Sequence, residues 1–197
     1  MPTDYFDRLY YCDKFQTYVN RIRPGTFESL NKKYEHPRLI IPFYDVDNQV
    51  FAIQGRAFGK EQPKYLTIKL QENKQKIFGL ERINLHKRLY IVEGPLDSLF
   101  LDNCLAAGGA DLQLPVDKKD VVFIFDNEPR NKEIIDRMYK MIEKDYMIVI
   151  WPEGQKEKDI NEMIINGKTK EQVQNIISDN TYSGLSAITQ INSYKRC

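Results

Sequence analysis

The chain has 197 residues and a mass of 23.2 kDa; 42% of it is hydrophobic, 29% is charged, and its net charge is +1. That is enough apolar material for a core, which excludes wholesale disorder and fits one domain or a domain with a smaller lobe. The longest apolar run, Tyr146 to Trp151, is six residues against the ~20 that cross a bilayer, and the N-terminus has no signal-peptide pattern, so no membrane association is expected. Cys12, Cys104 and Cys197 lie far apart with no C-x-x-C pair, which argues against a disulfide scaffold or a zinc site and for a reducing, cytoplasmic setting.

Charge divides unevenly. Residues 1–86 hold 14 Lys/Arg and 10 Asp/Glu, whereas residues 87–197 hold 15 and 18. A basic first part suits phosphate contact and an acidic second part suits metal cations, although scatter alone gives such differences.

In chain order, Phe6, Leu9, Phe15, Val19 and Ile22 predict a helical stripe over residues 4–22 that ends before Pro24-Gly25. Leu39–Tyr44 and Gln49–Gln54 predict a hairpin around Asp45-Val46-Asp47-Asn48, and Tyr65–Leu70 predicts a further strand. After Arg88 the pattern changes to strand (Leu89–Val92), helix (Pro95–Cys104), strand (Leu105–Ala107), strand (Val121–Phe125), helix (Asn131–Lys144) and strand (Met147–Trp151). This alternation predicts an α/β fold with a mainly parallel sheet flanked by helices, preceded by a small α+β lobe. Thr169 and Gln172 stand at capping-box spacing before one more helix, and a polar, frayed end is expected beyond Asn180. The expected division is therefore 1–86, 87–166 and a helical tail, 167–197.

Open parallel sheets bind ligands at the carboxyl ends of their strands. Three such ends carry acids here: Glu93 and Asp97 after the first strand, Asp126 and Glu128 after the third, and Lys158-Asp159 after the last. Converging carboxylates repel one another unless cations separate them, and hard oxygen donors suit Mg²⁺ or Mn²⁺, two of which can clamp a phosphoryl displacement. Taken singly, Asp97 could simply favour a helix dipole, and Asp126 and Glu128 could form a solvated turn. Three successive strand ends weigh against that. His36 and His86 have no metal-ligand spacing, and no G-x-x-x-x-G-K-[ST] loop marks an ATP-driven helicase.

LYIVEGPLD, LAAGGAD and VVFIFDNE resemble a TOPRIM domain, the module of DnaG-type primases, topoisomerases, RecR-type repair proteins and OLD-type nucleases. The Glu-Gly-x-x-Asp element is complete; the Asp-x-Asp element reads Asp126-x-Glu128, and Pro129-Arg130 stand where a glycine often follows. RLIIPFYDVDNQVFAIQGRAFGKEQPKYLTI and KIFGLERI resemble the stretch before that domain in primases, and KDINE resembles an element that closes many phage primase domains. The similarity spans residues 38–166, with wording nearest primases of T-even-type bacteriophages.

The resemblance implies a DNA-templated RNA polymerase that makes primers on single-stranded DNA from ribonucleoside triphosphates, working with a replicative helicase. It implies catalysis by Glu93, Asp97, Asp126 and Glu128, with Asp159 completing the metal set. Arg56, Lys64, Tyr65, Lys74, Lys76, Gly108, Gly109 and Lys158 are the expected nucleotide- or template-binding positions; each lysine, taken alone, is as well explained as solvated surface. Complete primases of this kind also carry a zinc-binding module, expected here as a separate partner. The rival readings are a TOPRIM nuclease and a non-catalytic module that binds single strands or a helicase.

Overall fold

The computed structural model describes residues 3–28, 35–108 and 115–197. Its chain divides into two compact units, Pro2–Lys76 and Ile77–Cys197.

The first unit is built on an antiparallel sheet in the order β1-β2-β3-β4: β1 (Tyr10–Cys12), β2 (Arg38–Tyr44), β3 (Val50–Ala57) and β4 (Tyr65–Lys69). One helix, α1 (Phe15–Ile22), lies on one face and buries Phe15 and Val19 with Ile40, Ile53 and Ile68. The helical stripe expected over 4–22 is thus broken. A 3-10 helix covers Thr3–Arg8, and Tyr10, Tyr11 and Cys12 pair with Ile40, Leu39 and Arg38. Adjacent tyrosines favour an extended backbone, and the free edge of β2 offers them ladder partners. Gly55 is required beneath α1: a Cβ there would stand 2.4 Å from the Phe15 ring. The hairpin forms at the expected turn, where the Asp45 carboxylate accepts from the backbone N–H groups of Asp47 (3.0 Å) and Gln49 (2.9 Å).

The second unit holds a six-stranded sheet in the order β10-β9-β8-β6-β7-β5. Its strands are β5 (Ile77–Phe78), β6 (Leu89–Val92), β7 (Cys104–Ala107), β8 (Val121–Phe123), β9 (Met147–Val149) and β10 (Thr181–Tyr182). The four central strands, β9, β8, β6 and β7, are parallel, and the two edge strands are antiparallel. Between them run α2 (Pro95–Ser98), α3 (Lys132–Glu143), α4 (Ile160–Ile165), α5 (Lys170–Asp179) and α6 (Gly184–Tyr194). From β6 the chain steps to β7 on one side and then crosses to β8 on the other. The crevice beyond the ends of β6 and β8 is therefore the topological switch point, where ligands bind in such sheets.

Three further sequence expectations differ from this arrangement. The helix expected over Pro95–Cys104 is only one turn long, because Leu99, Phe100 and Leu101 are buried in succession and a helix cannot turn three consecutive residues to one side. The boundary falls at residue 76 and not 86, since buried Ile77 and Phe78 pair with Ala107 and Ala106. The end beyond Asn180 is ordered: β10 pairs with β9, and α6 buries Ala187 and Ile191 in the main core. Ala187, Ile191 and Tyr194 are spaced as one helix face, a stripe too narrow to stand out in a polar segment. The Thr169 capping box is present with both of its hydrogen bonds.

Candidate active site

Strand β6 is apolar throughout and buried at Leu89, Ile91 and Val92, so its first polar residue, Glu93, stands at its carboxyl end. Gly94 and Pro95 then turn the chain into α2, with proline at a position where it suits a helix start. Asp97, in that first turn, leans back over the turn: a Cβ on Gly94 would lie 2.4 Å from its Oδ2. Glycine in the Glu-Gly-x-x-Asp element therefore makes room for the aspartate, an added reason for the motif beyond backbone freedom.

The other Asp97 oxygen, Oδ1, accepts from the Asn161 backbone N–H at 2.8 Å. That N–H lies in the first turn of α4, where amides have no partner within the helix. Asp159 caps the same helix by accepting from Glu162 N at 2.7 Å. The first turn of α4 is in this way tied to the end of β6.

After β8, the residues Ile124 and Phe125 are still buried and lead into Asp126-Asn127-Glu128. Lys158 reaches both acids, its Nζ standing 3.4 Å from Asp126 Oδ2 and 2.5 Å from Glu128 Oε1. Asn131 Nδ2 donates to Glu128 Oε2 at 2.7 Å. Arg137, from α3, pairs with Glu93 and lies over the Phe125 ring. Glu93, Asp97, Asp126 and Asp159 line one small cleft with Val92, Phe125 and Trp151. Glu128 stands outside that lining, held by Lys158 and Asn131.

Charge in this cleft is crowded. Burial, with Asp159 and Asp126 adding repulsion, pushes the Asp97 carboxyl up to about 7 against the lowering effect of the Asn161 N–H. Burial and Glu93 push Asp126 up to about 6, although Lys158 pulls the other way. Glu128 is instead held low by its hydrogen bonds from Lys158 and Asn131. Two neighbouring carboxyls that resist ionisation are the condition a hard divalent cation relieves. The donor set therefore fits Mg²⁺ or Mn²⁺. Among the described residues, no three His, Cys, Asp or Glu side chains are already gathered around one point. Glu93 pairs with Arg137, and Asp126 and Glu128 pair with Lys158, whereas Asp97 and Asp159 accept from backbone N–H groups of α4.

Three positions here escape motif reading. Asn127, the residue between the two acids, donates from Nδ2 to the carbonyls of Gln155 (2.8 Å) and Glu157 (3.1 Å), and its N–H donates to Lys158 O at 2.6 Å. It holds the Lys158 loop against the end of β8, and Tyr194 of α6 donates to its Oδ1 at 3.0 Å. Trp151 Nε1 donates to Phe125 O at 2.8 Å, pinning the neighbouring strand end. Arg137 sits on a helix whose apolar stripe masks its reach toward Glu93. The x of Asp-x-Glu is the only one of these with a sequence signal, its fixed place between the acids.

The expected basic positions fall into separate groups. Arg56 and Lys64 both lie 5.7 Å from the ring of Tyr65, so these three stand together on the first unit's sheet. Lys74 instead pairs with Asp45 at 3.2 Å, bracing the hairpin turn. Lys76 ends the first unit, and burial lowers its pKa. Gly108 is exposed at the end of β7 with open space around it, and Gly109 lies outside the described residues. Lys158 belongs with the acids.

No protein-family model matches the chain. Along its whole length it is 36% identical to the DNA primase of Enterobacteria phage T4, of which it spans 58%. Its fold resembles the zinc-binding and RNA polymerase domains of the Aquifex aeolicus primase (TM-score 0.57, 16% identity, 88% of this chain and 51% of that one). It also resembles the DnaG primase catalytic domain bound to single-stranded DNA (TM-score 0.56, 19% identity, 79% of this chain and 55% of that one). The chain is thus similar in sequence to a phage DNA primase and similar in fold to the catalytic cores of DnaG-type primases.

Proposed function

We propose that this chain catalyses DNA-templated RNA primer synthesis, in which a 3′-hydroxyl attacks the α-phosphorus of a ribonucleoside triphosphate and pyrophosphate leaves. The observation that carries the reading is the cleft at the ends of β6 and β8, which Glu93, Asp97, Asp126 and Asp159 all line. Glu93, Asp97, Asp126 and Asp159 would hold divalent metal, with Glu128 at the rim. When bound, the metal supplies charge neutralisation at the phosphates.

The chain's own residues do the rest. Arg137, paired with Glu93, orients its carboxylate at the strand end, where it would accept a proton from the attacking hydroxyl. Lys158, at the rim beside Asp126 and Glu128, would meet a substrate phosphate. Asn127 and Trp151 keep the two strand ends from spreading, so that the acids stay in register. Arg56 and Lys64 contact template phosphates. The relative seen with single-stranded DNA supports that strand as the template, and the zinc-binding domain of the Aquifex relative supports a zinc-binding module as partner. A replicative helicase is the further partner that priming requires.

The test is incubation with single-stranded template, ribonucleoside triphosphates and Mg²⁺ or Mn²⁺, with and without a supplied primer. Extension of the primer is expected, with weaker initiation that improves when a zinc-ribbon protein is added. Cleavage of the template, or strand binding with no synthesis under any condition, would overturn the reading in favour of a nuclease or a binding module.

A further inference from the structure

The register of the first unit's sheet sets four residues in one cross-strand row. Tyr11 pairs with Leu39, Leu39 with Arg56, and Arg56 with Tyr65. Alternation puts this row on the face opposite α1, because the next residues along, Ile40 and Gly55, meet the helix side. Phe58, two residues beyond Arg56, extends the row: its ring centroid is 5.8 Å from that of Tyr11.

Exposure makes this row unusual. Tyr11 is 67% exposed, Phe58 59% and Tyr65 38%. Single exposed aromatics are ordinary, but two in ring contact while each stays more than half in solvent form a patch with an unmet apolar face. A cation, Arg56, stands in the same row, and Lys64 lies beside it, each 5.7 Å from the Tyr65 ring. Aromatic faces beside cations across a four-stranded sheet match a polyanion whose bases are unpaired.

We propose that Tyr11 and Phe58 form a base-stacking platform that continues the Arg56–Tyr65 row into a track for single-stranded nucleic acid. The track crosses the strands over roughly 14 Å, three strand spacings, enough for a few extended nucleotides. Bases stack at Tyr11–Phe58 and at Tyr65, and Arg56 and Lys64 meet the phosphates between them. This deepens the template reading and rests on it only for the identity of the strand as template.

Binding of fluorescein-labelled oligo-dT to the full chain, against an abasic strand of the same length, tests it. Replacing Tyr11 and Phe58 together with leucine keeps apolar bulk and removes the rings. The expected result is oligo-dT affinity about ten-fold weaker with an unchanged salt slope, and no change for the abasic strand. Tyr11→Trp is expected to bind oligo-dT at least as well as the native chain, which guards against a folding artefact. Equal loss on both strands, or no loss on either, overturns the platform. A native chain that shows the expected binding pattern yet makes no primer leaves the platform standing and overturns the synthesis reading instead.

Discussion

The two units expose chemistry in different ways because their sheets are wired differently. In the parallel sheet each strand enters a helix or loop at the same edge, so residues next to one another in sequence, such as Glu93, Gly94 and Asp97, reach the site together. In the antiparallel sheet the face is assembled by register, and Tyr11, Leu39, Arg56 and Tyr65 meet from four separate strands. A short motif can therefore mark the first kind of site, whereas the second has no local signature. Two glycines express the same contrast: a Cβ at Gly55 would meet the apolar ring of Phe15 and one at Gly94 the carboxylate of Asp97, each at 2.4 Å.

The largest effect is expected at the strand ends. Asp126→Asn combined with Glu128→Gln keeps shape and removes two charges, so primer extension should fall by more than about 100-fold, a loss typical of removing preorganised charge stabilisation. Circular dichroism should remain that of the native chain. Extension at near-native rate would separate these acids from the chemistry.

The glycine pair sharpens the comparison. Gly94→Ala should displace Asp97 and lower extension about ten-fold or more with little loss of stability, because the group it meets is the end of a side chain. Gly55→Ala should cost on the order of 1–3 kcal/mol by overpacking Phe15, with extension by the remaining folded protein nearly intact. Urea unfolding beside primer extension would read both, and the reverse assignment of costs would break the distinction.

A smaller effect concerns pH. The folded carboxyls of Asp97 and Asp126 hold their protons up to about 7 and about 6, above the ~4 of an unfolded aspartate. Between roughly pH 4 and 7 the folded state thus binds more protons, and stability falls as pH rises through that window. At pH 8 without divalent metal, Asp97→Asn should stabilise the chain by on the order of 2 kcal/mol, and the gain should vanish near pH 4. A gain that grew toward low pH would contradict the repulsion inferred in the cleft. The smallest effect belongs to surface pairs such as Lys170–Asp102, at 2.5 Å: Lys170→Ala should change unfolding by no more than about 0.5 kcal/mol.

Much of this was legible before any coordinates. Strand β6 is an apolar run with the same bounds in sequence and structure, and the acids at its end and after β8 follow from the rule for parallel sheets. The capping box of α5 and the Asp45 turn are local hydrogen-bond chemistry, written in a few adjacent residues. What stayed hidden was non-local. Strand β1 forms only because the edge of β2 is available, and β5 joins the second sheet because Ile77 and Phe78 find β7. Asn127 and Arg137 meet the acids' surroundings through contacts over 28 to 44 residues of chain, which no spacing rule encodes.

The central claim is that the acids at the ends of β6 and β8 form a place for divalent metal. Thermal unfolding at pH 8 during a Mn²⁺ titration tests it most directly, because a cation that binds only the folded state raises Tm as its concentration passes Kd. The native chain should show a saturable rise, and Asp97→Asn with Asp126→Asn should start from a higher Tm and show none. An equal rise in the doubly substituted chain would contradict the claim.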